Sequence, residues 1–259
     1  MILDKLAQAT RERVAREKAV ISPEEMNRKA LELPKGDFRF EKALKSGDIS
    51  FICEVKKASP SKGIIAENFP YVDIAVQYET AGASAISVLT EPEYFKGDIR
   101  YLHEISQKVR VPLLRKDFTV DPYMIDQAHV YGAAAVLLIC SLLDTETLRK
   151  YIAHCDSLGL SALVEAHDEN EIKSALAAGA RIIGVNNRNL KDFTVDIKNG
   201  IRLRKLVPKD CVFVAESGIK TAEDIRELRE ANVNAVLIGE TLMRAENKKQ
   251  MLDSLRGHI

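Results

Sequence analysis

The chain has 259 residues, 46% of them hydrophobic, which is enough for one large core and a size at which an α/β barrel commonly runs undivided. Lysine plus arginine total 38 and aspartate plus glutamate total 38, so the formal charge is zero, which argues against a general nucleic-acid or acidic-membrane binder and leaves room for a local basic site. No basic-then-apolar leader is read, and the longest apolar stretch, near Ala133 to Leu143, is too short to span a bilayer, so the expected location is the cytoplasm.

Residues 1–48 come first and stand apart. Leu3, Leu6 and Val14, then Met26, Ala30 and Leu33, recur at roughly helical spacing among Arg, Glu and Lys. This extra helical segment is expected either to cap one mouth of a barrel built by the later residues or to help close an active site. From residue 49 onward, strand-like apolar runs alternate with helical patterns, the runs falling near 51–56, 84–89, 111–116, 133–138, 160–165, 181–186, 211–216 and 234–238. Helix starts are marked by Asp121-Pro122, an N-cap before a Pro at the first helical position, and by Thr221-Ala222-Glu223-Asp224, which resembles a capping box with Asp in the Glu position; Asp168-Glu169-Asn170-Glu171 offers another. Repeated βα units imply a parallel sheet with right-handed crossovers. Eight of them favour a closed (β/α)8, or TIM, barrel over residues 49–259, one domain with its N-terminal extension; a doubly wound open sheet is the alternative.

Several runs end in a charged or amide side chain: Glu54 and Lys56, Lys116, Glu165, Asn186, and Glu216 followed by Ser217. A buried parallel strand reads as a continuous apolar segment, so a charge at its end must meet water or a partner. Alternation puts Glu54 and Lys56 on one face, with Cys53 and Val55 on the other. In a barrel these ends converge on one mouth, where two ammonium groups and three carboxylates would shift one another's pKa values toward acid–base work; the bland reading is a set of ion pairs holding loops. Glu216-Ser217-Gly218-Ile219 and Ile238-Gly239-Glu240-Thr241 follow the last two runs, where barrels often offer backbone N–H groups to a phosphate, and Gly218 and Gly239 allow close approach.

The loop Lys57-Ala58-Ser59-Pro60-Ser61-Lys62-Gly63 suits a lid over an anionic substrate or, equally, a solvated surface loop. Asn186, Asn187, Arg188 and Asn189 offer amides and a guanidinium for hydroxyls and a carboxylate, or simply a turn. Cys53, Cys140, Cys155 and Cys211 are scattered singly and read as reduced packing residues. The five histidines lack metal-ligand spacing and only His167 lies near a run's end, so a metal site or a Ser-His-Asp device is not expected, nor is a nucleotide cofactor, for which no phosphate-binding glycine motif is present.

The stretch Glu54-Val55-Lys56-Lys57-Ala58-Ser59-Pro60-Ser61-Lys62-Gly63 resembles the signature of the indole-3-glycerol phosphate synthases of tryptophan biosynthesis. Leu114-Arg115-Lys116-Asp117-Phe118, Leu163-Val164-Glu165, Gly184-Val185-Asn186-Asn187-Arg188-Asn189-Leu190, Ala215-Glu216-Ser217-Gly218-Ile219 and Gly239-Glu240-Thr241-Leu242-Met243-Arg244 follow in the family's order. The resemblance covers nearly the whole chain. It implies a cofactor-free ring closure of 1-(2-carboxyphenylamino)-1-deoxyribulose 5-phosphate to indole-3-glycerol phosphate, with loss of carbon dioxide and water. It further implies Lys116 as first acid, Glu165 as a base or as stabiliser of the cationic ring intermediate, and Lys56 with Glu54 in the dehydration. Asn186, Glu216 and Ser217 would hold sugar hydroxyls, and Arg188 with Lys56 would meet the anthranilate carboxylate. Gly218, Gly239 and the following N–H groups, Glu240 among them, would hold phosphate. Ser59 and its loop would close the site, and Leu89, Phe118, Leu137 and Leu190 would sandwich the aromatic ring. Asn187 and Asn189 depart from the Ser and Asp common in the family.

The partner expected is thus a small phosphorylated molecule, with neither nucleic acid nor membrane; nothing marks an interface, and the oligomeric state is open, a monomer included. Rival readings are another phosphate-binding barrel, such as a phosphoribosylanthranilate isomerase or a Schiff-base aldolase, and a catalytically silent ligand-binding barrel. Glu54 and Lys56 argue against the first two, and the retained strand-end acids and bases against the third.

Overall fold

In the computed structural model, which describes residues 2–45, 47–188 and 194–257, eight parallel strands close into a barrel. They are β1 (Ser50–Val55), β4 (Ala85–Leu89), β5 (Leu113–Lys116), β6 (Ala135–Ile139), β7 (Ser161–Ala166), β8 (Ile182–Asn186), β9 (Val212–Glu216) and β10 (Ala235–Ile238), β10 pairing back onto β1. Each observed strand lies within two residues of the run expected for it. The remaining two strands, β2 (Ala58–Ser59) and β3 (Gly63–Ile64), form a small antiparallel hairpin inside the loop after β1, which the composition of that loop does not signal.

The continuous apolar runs are explained by burial on both faces. Cys53, Val55, Ile86, Val88, Val136, Val164 and Phe213 face outward into the layer between barrel and helices. Ile52, Leu114, Leu137, Leu163, Val214 and Leu237 point inward and fill the barrel. Alternation then carries Glu54, Lys116, Glu165 and Glu216 inward at or near the strand ends, as expected for that face. The thiols of all four cysteines are free, with Cys53, Cys155 and Cys211 buried.

Connecting helices begin where side chains satisfy the free N–H groups of the first turn. Asp144 caps α7 (Thr145–Leu158), and Thr221 with Asp224 forms a complete capping box on α10 (Ala222–Glu230). Two starts differ in detail from the sequence expectation. Pro122 itself precedes α6 (Tyr123–Val130), with Asp121 Oδ1 accepting the Tyr123 N–H at 3.0 Å. Asp168 caps α8 (Glu169–Ala177) alone, because the Glu171 carboxylate turns to the His167 N–H at 2.7 Å.

The N-terminal segment makes three helices among the described residues, which lie at both ends of the barrel. Phe40 of α3 (Arg39–Ala43), with Leu44, plugs the barrel interior at the starts of the strands, where the Glu41 N–H donates to Ser161 Oγ at 3.2 Å. The long α1 (Ile2–Val20) lies at the opposite mouth, and α2 (Pro23–Glu32) joins it to α6 through a cluster of Val14, Met26, Tyr123 and Met124. Arg13 of α1 donates two hydrogen bonds, 2.8 and 2.9 Å, to Asp117 just past β5.

Candidate active site

At the C-terminal ends of the strands lies a cavity of about 760 Å³. Of the expected site residues, Glu54, Lys56, Ser59, Leu89, Lys116, Phe118, Leu137, Glu165, Asn186, Arg188, Glu216, Ser217, Gly218, Gly239 and Glu240 all line it. Leu190 lies outside the described residues, as does Asn189.

The polar floor is built from five strands. Lys116 Nζ, at the end of β5, sits 3.2 Å from Glu165 Oε2 of β7 and 3.3 Å from Glu216 Oε2 of β9. Lys56 Nζ, just past β1, lies 2.5 Å from Glu54 Oε1. Asn186 of β8 donates to Glu165 Oε1 at 3.5 Å, and its own Oδ1 accepts the Arg188 N–H at 3.0 Å, turning the chain out of the strand. The three carboxylates are 2–4% exposed, so their charges are felt at low dielectric.

Burial lowers the Lys116 pKa, yet Glu216, Glu165 and Glu54 together outweigh it and raise the pKa above its ordinary value, keeping the group an ammonium. The two carboxylates beside it are driven apart. Burial raises Glu165, but Lys116, His167 and the hydrogen bonds it accepts hold it below the ordinary carboxylate range. Burial, with repulsion from Glu165, pushes Glu216 up to about 7 against the pull of Lys116, and its Oε1 accepts no hydrogen bond among the described residues. One ammonium thus stands between an ionised carboxylate and one that readily holds a proton, an arrangement suited to delivering and removing protons near neutral pH.

Two glycines make room for these groups. A Cβ on Gly239 would stand 2.3 Å from Glu54 Oε1 and 2.8 Å from Lys56 Nζ. Ser217 and Gly218 both carry positive φ, 67° and 85°, so the chain after β9 turns sharply at the cavity's edge; for Ser217 the left-handed backbone costs about 1–3 kcal/mol. Asn187, one of the family departures, is a structural residue here: its side chain donates to Ser217 O at 3.2 Å and accepts the Gly200 N–H at 3.0 Å. Glu240 pairs with Arg244 at 3.1 Å and lies 3.9 Å from Lys62 at the hairpin.

The apolar wall is formed by Leu89, Phe118 and Leu137, together with residues that no sequence motif singles out. Phe95 faces Phe118 with ring centroids 6.0 Å apart, and Leu6 reaches in from α1. Phe95 is set by Glu91, a buried carboxylate accepting the N–H groups of Glu93, Tyr94 and Phe95. Glu91 follows the apolar run of β4, so the pattern that marks Glu165 and Glu216 is present there too. Among the described residues no His, Cys, Asp and Glu group is arranged to hold a metal ion, and no helix is long and apolar enough to cross a membrane.

Residues 3–255 match the family model of indole-3-glycerol phosphate synthase. A protein of that name from Ruminiclostridium cellulolyticum is 60% identical over 258 residues, 99% of each chain, and one from Endomicrobium trichonymphae is 54% identical over 257 residues, 99% of this chain and 100% of that one. Among solved structures, 3-hexulose-6-phosphate synthase from Salmonella typhimurium superposes with a TM-score of 0.66 at 13% identity, covering 82% of this chain and 100% of the other. Thiamine phosphate pyrophosphorylase from Pyrococcus furiosus gives 0.61 at 17% identity, over 84% of this chain and 96% of that one. At such identities the likeness is one of fold alone.

Proposed function

The chain belongs to the indole-3-glycerol phosphate synthase family and has the family's activity, that of a decarboxylating lyase of tryptophan biosynthesis; from that premise we propose how its own residues carry the reaction. The substrate is the phosphorylated 1-(2-carboxyphenylamino)-1-deoxyribulose 5-phosphate. Its aromatic carbon bearing the carboxylate attacks the ribulose ketone, and the ketone oxygen takes a proton from the Lys116 ammonium. Carbon dioxide leaves, returning its bonding electrons to the ring. The new hydroxyl then departs as water after receiving a second proton, while a base removes one from the ring system, leaving indole-3-glycerol phosphate.

The observation that carries this reading is the placement of Lys116 between Glu165 and Glu216 at 3.2 and 3.3 Å. An ammonium so held stays charged until a developing alkoxide draws its proton, and Glu165, ionised beside it, offsets the positive charge of the ring intermediate. The Lys56 and Glu54 pair serves the dehydration, with Lys56 as the acid for the departing hydroxyl. Glu165 and Glu216 titrate together around Lys116, so the two share their protons rather than each owning one. Asn186, Glu216 and Ser217 hold the sugar hydroxyls, Arg188 and Lys56 the anthranilate carboxylate, and Leu89, Phe118 and Leu137 the ring. Phosphate lies against the backbone of Gly218, Gly239 and Glu240, with the Ser59 hairpin closing over it. The whole 1–259 chain acts as one domain.

The experiment is to add the carboxyphenylamino substrate to purified, metal-free protein and follow indole fluorescence. Appearance of the signal with wild type, and its loss with Lys116→Ala, is the expected result. Undiminished turnover by Lys116→Ala would overturn the assignment of the acid.

A further inference from the structure

Immediately behind Glu165, outside the cavity lining, lies His167, just past the end of β7. Its imidazole is enclosed between two carboxylates: Nδ1 is 3.1 Å from Glu171 Oε2 and Nε2 is 3.5 Å from Glu165 Oε1. Glu171 is fixed in turn, accepting the His167 backbone N–H at 2.7 Å and the Ser141 hydroxyl at 2.5 Å. Nε2 makes no hydrogen bond among the described residues, so it meets Glu165 by charge alone: a neutral imidazole would leave that buried edge without compensation, whereas the imidazolium sets a positive charge beside both carboxylates.

We propose that His167 is a positioning residue for the reaction: as an imidazolium clamped by Glu171, its charge holds Glu165 ionised beside Lys116. This rests on Glu165 and Lys116 handling protons in the proposed reaction. The groups facing the ring are consistent with a cation there. Glu165 comes from β7, Glu171 from α8 and Glu216 from β9, while Lys116 stands on the far side of Glu165. Asn199 of α9 (Ile197–Arg204) donates to the His167 carbonyl at 3.4 Å, and the side chains of Cys140 and Ser141, past β6, donate to Glu171, while the Cys140 backbone N–H donates to the Glu165 carbonyl at 3.0 Å. Burial works against the charge, but Glu171, Glu165 and Glu216 together raise the imidazole above its ordinary value. With a cation on each side, Glu165 stays an anion and the shared proton falls on Glu216. The imidazolium lowers the pKa of Glu165, whereas burial and Glu165 push Glu216 up at a similar distance from the same ammonium.

The test uses His167→Asn, which keeps an N–H donor but cannot carry the charge, and Glu171→Gln. Proton NMR titration of wild type, with the His167 ring signal assigned by its absence in His167→Asn, should place the imidazole above its ordinary value of 6.5 and lower in Glu171→Gln. The acid limb of the kcat profile should move to higher pH in His167→Asn, by about one unit. Below that limb kcat should fall about tenfold with KM nearly unchanged, and Glu171→Gln should add nothing further in the His167→Asn background. An imidazole titrating at or below 6.5, or an equal loss of rate at every pH, would overturn the proposal. Because the NMR titration needs no turnover, absence of synthase activity in wild type would count against the assigned reaction and leave the His167 result legible.

Discussion

Glu216 occupies the space that a side chain on Gly184 would fill: a Cβ on that glycine would lie 2.3 Å from Glu216 Oε1. The two residues sit on neighbouring strands, with Gly184 inside the barrel one layer below Asn186, itself the register partner of Glu216. Gly184 φ is not in the left-handed region, so the glycine is required by space rather than by backbone conformation.

Gly184→Ala should therefore leave β8 intact but displace the Glu216 carboxylate from Lys116. Expected is a drop in kcat of about 10²-fold or more, with the far-UV circular dichroism unchanged. Native kcat in this variant would mean that Glu216 reaches Lys116 by another rotamer, and that its present place is not needed.

Lys116→Ala removes the ammonium around which the carboxylates are arranged. A missing general acid typically lowers the rate by about 10²–10⁴-fold. The fold should persist, since Glu216 can take up a proton and relieve the repulsion with Glu165. Single-turnover kinetics check this, because an effect on the chemical step appears there even if product release limits the steady state.

Glu216 also predicts a pH dependence of stability. Its folded pKa of about 7 lies above the ordinary value of 4.5, so the folded state holds this proton more tightly than the unfolded state. The stabilisation is complete below the lower value, declines as pH rises between the two, and is gone above the upper one. Glu165 has the opposite sign, its depressed pKa favouring the folded state once pH exceeds the unfolded value. Glu216→Gln removes the first contribution, so the melting temperature of the variant relative to wild type should rise with pH between about 5 and 8. Parallel curves for the two proteins would show that Glu216 titrates normally.

The barrel was legible because the physics of a two-sided buried strand leaves a continuous apolar run, and the polar ends of those runs, Lys116, Glu165 and Glu216, announce an inward face with something to do. Family motifs then named their companions in space, but not their geometry. What could not be read is contact between residues remote in sequence. Nothing local to Arg13 tells that it meets Asp117, 104 positions away. Phe95 carries no mark of an aromatic wall until Glu91 folds its loop beneath it. Asn187, among three asparagines in four positions, gave no local sign that it tethers Ser217 and Gly200, whereas Asn186 beside it faces the cavity.

Arg13 tests what α1 contributes. Its guanidinium bridges Asp117 and the Thr90 carbonyl, at 3.2 Å for the latter, and Asp117 is 1% exposed with Arg115 as its other cation at 3.2 Å. Replacing Arg13 by Met keeps much of the apolar stem and removes the fork. Orphaning a buried charge costs about 3–5 kcal/mol, but Arg115 and the Thr90 hydroxyl remain on Asp117, so a loss of about 2 kcal/mol, read by urea denaturation, is expected. Arg13→Lys should recover little of it, since a lone ammonium cannot reproduce the paired hydrogen bonds. Because Ile2 and Leu6 of the same helix line the cavity, a loosened α1 should also raise KM more than it lowers kcat. A variant that loses stability with KM unchanged would confine α1 to a structural role and detach it from the site.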